Sequence, residues 1–174
     1  MRLPEISGCA ARRQYTTVGV LIAVLFAGAC APGPEPIRYG EDVCAHCRMV
    51  IMDERYGAEL VTTKGRVFKF DSIECLAAYV LEMSDSSDIH SLWVTAFHTP
   101  GQLIRVDEAV LLHSPILNSP MGANLTAFNA AVVSGDSAVN AFGGEVLSWE
   151  DVLALVTAQP PSGTGHMPMH RPGS

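Results

Sequence analysis

Positive charge is what this chain lacks most plainly. Its 11 Lys and Arg are scattered with no basic run and face 18 Asp and Glu, for a formal net charge of −7. Such a surface gains nothing from neutralising phosphates, which excludes nucleic acid as a partner. A glycine-rich phosphate loop is also missing, and no nucleophile stands in a pattern with a base, so the sequence argues for a non-enzymatic protein. Long apolar runs are absent too. The stretch from Val18 to Phe26 falls short of the about 20 residues that a membrane-spanning helix requires.

That short run has another use. Arg12 and Arg13 end a basic segment, Val18 to Phe26 follows, and Ala27-Gly28-Ala29 supply small residues at a cleavage position. The pattern predicts a signal peptide over residues 1–29. Cys30 then stands where a bacterial lipobox carries its lipid-modified cysteine, although Ala27 occupies a position usually held by Leu. A secreted protein without lipid and an uncleaved anchor are the alternatives. The lipoprotein reading expects a membrane-anchored protein on the extracytoplasmic, periplasmic side. Residues 30–38, with Pro32, Pro34 and Pro36, read as its tether. Removal of residues 1–29 leaves eight basic and seventeen acidic residues, a net charge of −9. The remainder suits one compact domain or two small units sharing an interface.

Cysteine is scarce, and its count is informative. With Cys9 removed and Cys30 lipidated, Cys44, Cys47 and Cys75 remain, an odd number that makes no disulfide framework. Cys44-Ala45-His46-Cys47-Arg48-Met49 places two thiols, an imidazole and a thioether within six residues. Thiolate and thioether sulfurs are polarizable and suit Cu(I), whereas Zn(II) takes thiolate and imidazole and seldom Met. The pair is also compatible with a disulfide or a zinc half-site, and Cys75 with a buried apolar thiol.

Around these residues the pattern alternates strands and helices. Met49 to Met52 reads as a short buried strand and Ala58 to Thr63 as a second. Lys64-Gly65-Arg66 turns the chain into a third strand, Val67 to Phe70. Asp71 or Ser72 caps a helix whose apolar positions are Ile73, Leu76, Ala77, Val80 and Leu81, with Cys75 in its first turn. After a polar connector, Leu92 to Phe97 reads as a strand with Trp93 in the core. Leu103 to Val106 and Ala109 to Leu112 follow as strands, Asn124 to Ala131 and Ala138 to Phe142 as helices. Glu145 to Leu147 is a strand, and Ser148 caps a last helix. The expected fold is α+β: two small related units, residues 39–84 and 85–158, packed as one globular region. Residues 159–174 are rich in Pro, Gly and Ser and read as a disordered tail, within which His166-Met167-Pro168-Met169-His170 is a candidate weak capture site.

Two blocks, Cys44-x-x-Cys47-x-Met49-x-Ile51 and Lys64-Gly65-Arg66-Val67-Phe68-Lys69-Phe70-Asp71-Ser72-Ile73-Glu74-Cys75-Leu76, resemble the NosL family. The resemblance extends more thinly to Ser119-Pro120-Met121-Gly122 and Gly143-Gly144-Glu145-Val146. It implies a membrane-anchored lipoprotein that binds Cu(I) and acts as a metallochaperone for nitrous-oxide reductase or its ABC-type maturation complex. It further implies Met121, in a Pro-Met-Gly loop, as a ligand from the second unit. The resulting ligand set is Cys44, Cys47 and Met49, with Met121 and Cys75 as further members and His46 and His113 as weaker candidates. Arg48 stands where the family usually has Gly. The rival readings are an extracytoplasmic thiol-disulfide oxidoreductase using Cys44 and Cys47, and a structural zinc-binding interaction protein.

Overall fold

The computed structural model describes residues 32–159. The expected signal peptide, Cys30 and the His166 to His170 segment therefore lie outside the described residues. Strands β1 (Ala58–Thr62) and β2 (Val67–Phe70) form the expected hairpin. Gly65, at φ 77°, supplies the left-handed conformation the turn requires. Helix α1 (Ile73–Glu82) follows, then β3 (Ile89–Thr95) and β4 (Leu103–Arg105). These four strands form an antiparallel sheet in the order β2-β1-β3-β4. Strands β5 (Ala109–His113), β6 (Leu125–Asn129) and β7 (Glu145–Leu147) make a second antiparallel sheet in the order β6-β5-β7. Helix α2 (Gly135–Phe142) precedes β7, and α3 (Trp149–Ala158) follows it. The fold is α+β, as expected. Among the described residues no helix is long and apolar enough to cross a membrane.

The two sheets divide the chain between β4 and β5, not at the expected boundary at 84/85. The reason lies in β1, which is buried at Ala58, Glu59, Leu60 and Val61 and so needs backbone partners on both edges. Strand β3 supplies the second edge, from Ala58↔Val94 to Thr62↔Ile89. The sheets are joined where Phe97 N–H donates to Ala127 O at 2.9 Å, beside a parallel bridge between Ala96 and Ala127.

Helix α1 covers one face of the first sheet, with the Tyr79 ring 5.2 Å from both Phe68 and Phe70. It also packs against α3 and β6, which explains why Ile73 to Ala78 is buried without a break. The opposite face carries the cross-strand row Lys69, Glu59, Trp93 and Arg105. Residues 32–38 form neither helix nor strand and are tied to this face. Glu35 N–H donates to Glu59 Oε2 at 3.0 Å, and Lys69 Nζ donates to Pro36 O at 2.8 Å.

Three expected features take another form. Residues 124–131 contain β6 rather than a helix: Leu125 and Ala127 enter the main core while Phe128 enters a smaller one with Leu112, a two-residue alternation. Met49 to Met52 is not a buried strand. Val50 makes a single bridge with Val43, and of these four residues only Ile51 is buried. Trp93 is half-buried on the tether face, its indole N–H donating to Ser91 Oγ at 2.9 Å.

Glu59 is fully buried, and its Oε1 has no hydrogen-bond partner among the described residues. Burial raises its pKa from 4.5 to about 7 despite the Glu35 amide and nearby Lys69. A carboxyl raised on folding contributes stability that is fully present below its unfolded value of 4.5 and is lost as the pH rises through about 7. Urea unfolding of wild type and Glu59→Gln between pH 4 and 8 checks this. The wild type should lose about 2 kcal/mol more than the variant across that window.

Candidate metal centre

The knuckle is a tight reversal closed by backbone hydrogen bonds. Cys44 N–H donates to Met49 O at 2.8 Å, and Arg48 N–H donates to Cys44 O at 3.1 Å. Such a turn needs a left-handed residue, and Arg48 takes that role at φ 65°. This is the physical reason for a glycine at the position, and an L-residue there costs about 1 kcal/mol. Below the turn, Ile51 N–H donates to Asp42 O at 2.9 Å.

A further backbone bond carries the knuckle to the rest of the site. Ala45 N–H donates to Lys69 O at 2.8 Å, docking the loop on the end of β2, a few residues before α1 begins. Ser72 caps α1, its side chain accepting from Cys75 N–H at 3.4 Å. The sulfurs of Cys44, Cys47 and Cys75 consequently lie within 4.8 Å of one another, and all three cysteines are free.

The three thiols are not equivalent. Cys44 is fully buried, yet its pKa is lowered to about 5 because the Cys75 thiol donates to it, helped by the Asp71 and Cys47 amides and the Cys47 thiol. Cys75 is pushed well up, first by that donated hydrogen bond and then by burial. Cys47 is raised by burial and by the adjoining Cys44 thiolate. The centre is thus one thiolate held between two thiols. Arg48 is exposed and is not among the groups that hold Cys44 down. Asp71, buried beside the cluster, is raised to about 6 by burial and by the Cys44 charge.

The remaining candidates divide clearly. Met49 is 45% exposed on the rim, while its amide and carbonyl serve the knuckle. Met121 is buried in the same apolar cluster as Cys44 and Cys75. The His46 side chain is only 4% exposed and lies 3.6 Å from Glu82 through Nδ1, leaving Nε2 without a partner among the described residues. It does not join the group of mutually close ligand atoms. His113 lies on β5, 3.7 Å from Glu145, and is outside that group as well.

Two buried acids that the motifs did not single out lie near the centre in sequence: Asp71, beside Cys44, and Glu74, which precedes Cys75 in the first turn of α1. Glu74 accepts a hydrogen bond from Ser119 Oγ, and burial raises its pKa. Its signal in the sequence is a lone carboxylate within the otherwise apolar stretch Ile73 to Ala78.

A profile of the NosL family matches residues 38–156. Among solved structures, the chain resembles the crystal structure of the copper chaperone NosL from Shewanella denitrificans, with a TM-score of 0.57 and 18% sequence identity. The alignment covers 69% of this chain and 95% of that one. No match is found among curated proteins.

The inequality of the thiols is directly measurable. In metal-free reduced protein, thiolate absorbance should show one group titrating near pH 5, with the other two protonated past neutrality. Cys44→Ser should abolish the low-pH step.

Proposed function

The chain belongs to the NosL family, and we propose on that premise that it is a carrier of Cu(I), a metallochaperone rather than a catalyst. The observation that supports this most directly is the convergence of three thiol sulfurs within 4.8 Å. Three converging sulfurs suit a soft cation such as Cu(I), and each thiol that binds gives up its proton to the metal. In this reading Cys44, Cys47 and Cys75 hold the ion, Met49 offers a thioether from the exposed rim, and Met121 offers one from the core. Few sulfur ligands and an exposed thioether suit transfer by stepwise ligand exchange, which a closed four-coordinate zinc site would resist.

Two rival readings find less support. A disulfide oxidoreductase places its Cys-x-x-Cys at a helix N-terminus to stabilise the thiolate, but Cys44 and Cys47 lie in a turn outside any helix. A structural zinc site would need a fourth hard or borderline ligand, and neither His46 nor His113 joins the close group. Anaerobic titration of the reduced protein with Cu(I) and Zn(II), each against a competing chelator, tests all three. Tight Cu(I) binding that Zn(II) does not displace is expected. Tight zinc binding that excludes copper would overturn the carrier reading, and a reversible disulfide couple without metal affinity would favour the oxidoreductase.

The same reading places the protein at the extracytoplasmic face of the membrane, anchored by lipid on Cys30, with nitrous-oxide reductase or its ABC-type maturation complex as recipient. Expressed with its leader, the wild type should fractionate with membranes and Cys30→Ser with the soluble extracytoplasmic fraction. Copper-loaded protein should restore copper to metal-free nitrous-oxide reductase in the presence of that complex. Transfer no faster than from free Cu(I) would argue against this recipient.

A further inference from the structure

The loop Ser119–Asn124, which carries Met121, is fastened to the thiol-bearing helix by groups that take no direct part in metal binding. Ser119 Oγ donates to Glu74 Oε1 and accepts the Asn124 N–H at 2.9 Å. The other Glu74 oxygen, Oε2, is buried and has no hydrogen-bond partner among the described residues. Gly122 N–H returns to Ser119 O at 3.1 Å, and Gly122 and Asn124 take left-handed conformations at φ 82° and 57°. Glu74 is fully buried and Ser119 nearly so. Burying a carboxyl group is costly, and the Ser119 hydroxyl that reaches Glu74 Oε1 ties the loop to α1.

The placement of this attachment is informative. Glu74 immediately precedes Cys75 on α1, and Ser119 lies two residues before Met121. Met121 is buried in the cluster that contains Cys44 and Cys75, although its neighbours Pro120 and Gly122 are exposed. We propose that Glu74 and Ser119 act as a positioning clip, setting Met121 at the depth of the three thiols so that its thioether is presented to the ion without rearrangement. The clip adds no ligand. It removes from binding the cost of ordering a loop, which otherwise appears as lost affinity. This inference rests on the reading of Met121 as a ligand.

A double-mutant cycle tests it, with Cu(I) affinity measured by chelator competition in wild type, Ser119→Ala, Met121→Ala and the double variant. Met121→Ala should weaken binding by about tenfold or more, and Ser119→Ala by about tenfold. In the Met121→Ala background, Ser119→Ala should have less than about a twofold effect, because the loop no longer carries a ligand. Glu74→Gln, which keeps the acceptor oxygen for Ser119, should remain within about twofold of wild type. An unchanged affinity in Ser119→Ala, or equal weakening in both backgrounds, would overturn the clip. A Glu74→Gln loss as large as that of Ser119→Ala would do the same, since it would assign the effect to charge. A measurement without variants guards against misfolding: in metal-free wild type, the Asn124 amide, which donates to Ser119 Oγ, should exchange with solvent as slowly as those in the middle of α1. Fast exchange would overturn the clip whatever the affinities show. An unchanged affinity in Met121→Ala would instead overturn the ligand assignment beneath it.

Discussion

One backbone hydrogen bond, from Ala45 N–H to Lys69 O, joins the cysteine knuckle to the hairpin that leads into α1. The knuckle's other backbone–backbone bonds run within itself and to residues 38–42. This bond sets the Cys44–Cys47 turn against the strand that leads into the helix of Cys75. With it, the chain between Lys69 and Cys75 is short enough to fix the third sulfur relative to the first two. The Asp71 amide, within that connection, reaches the Cys44 sulfur as well. The joint is therefore structural on one side and electrostatic on the other.

The electrostatics follow from putting three similar groups in one dry place. Only one can ionise readily, and the one that does is reached by the most donors. A carboxylate and two thiols close by are correspondingly driven toward their neutral forms. The centre keeps a low total charge, which is what allows it to be buried at all.

Much of this was legible in the sequence because local chemistry dictates it. The hairpin at Gly65, the Ser72 and Ser148 caps, and Cys75 in the first turn of its helix each follow from a few adjacent residues. The position of Arg48 was legible only as an anomaly, and its backbone angle explains it. What was not legible depended on distant partners. Residues 125–129 have a composition that serves helix or strand, and pairing with β5 decides between them. Met49 and Ile51 are both apolar and stand two residues apart, yet Ile51 is fully buried and Met49 is on the exposed rim, a difference set by packing from other parts of the chain. The role of Glu74 could not be read from spacing, because its partner Ser119 lies 45 residues away.

Lys69 does two unrelated things with its two ends. Its carbonyl receives the knuckle, while its ammonium grips Pro36 O at 2.8 Å and Asp42 at 2.7 Å. A pull on the chain at residue 32 is resisted first at Glu59 and then at this ammonium. The hairpin that bears the load is thus the one that supports the thiol cluster, and the sheet's stiffness stands between tension from upstream and the spacing of the sulfurs.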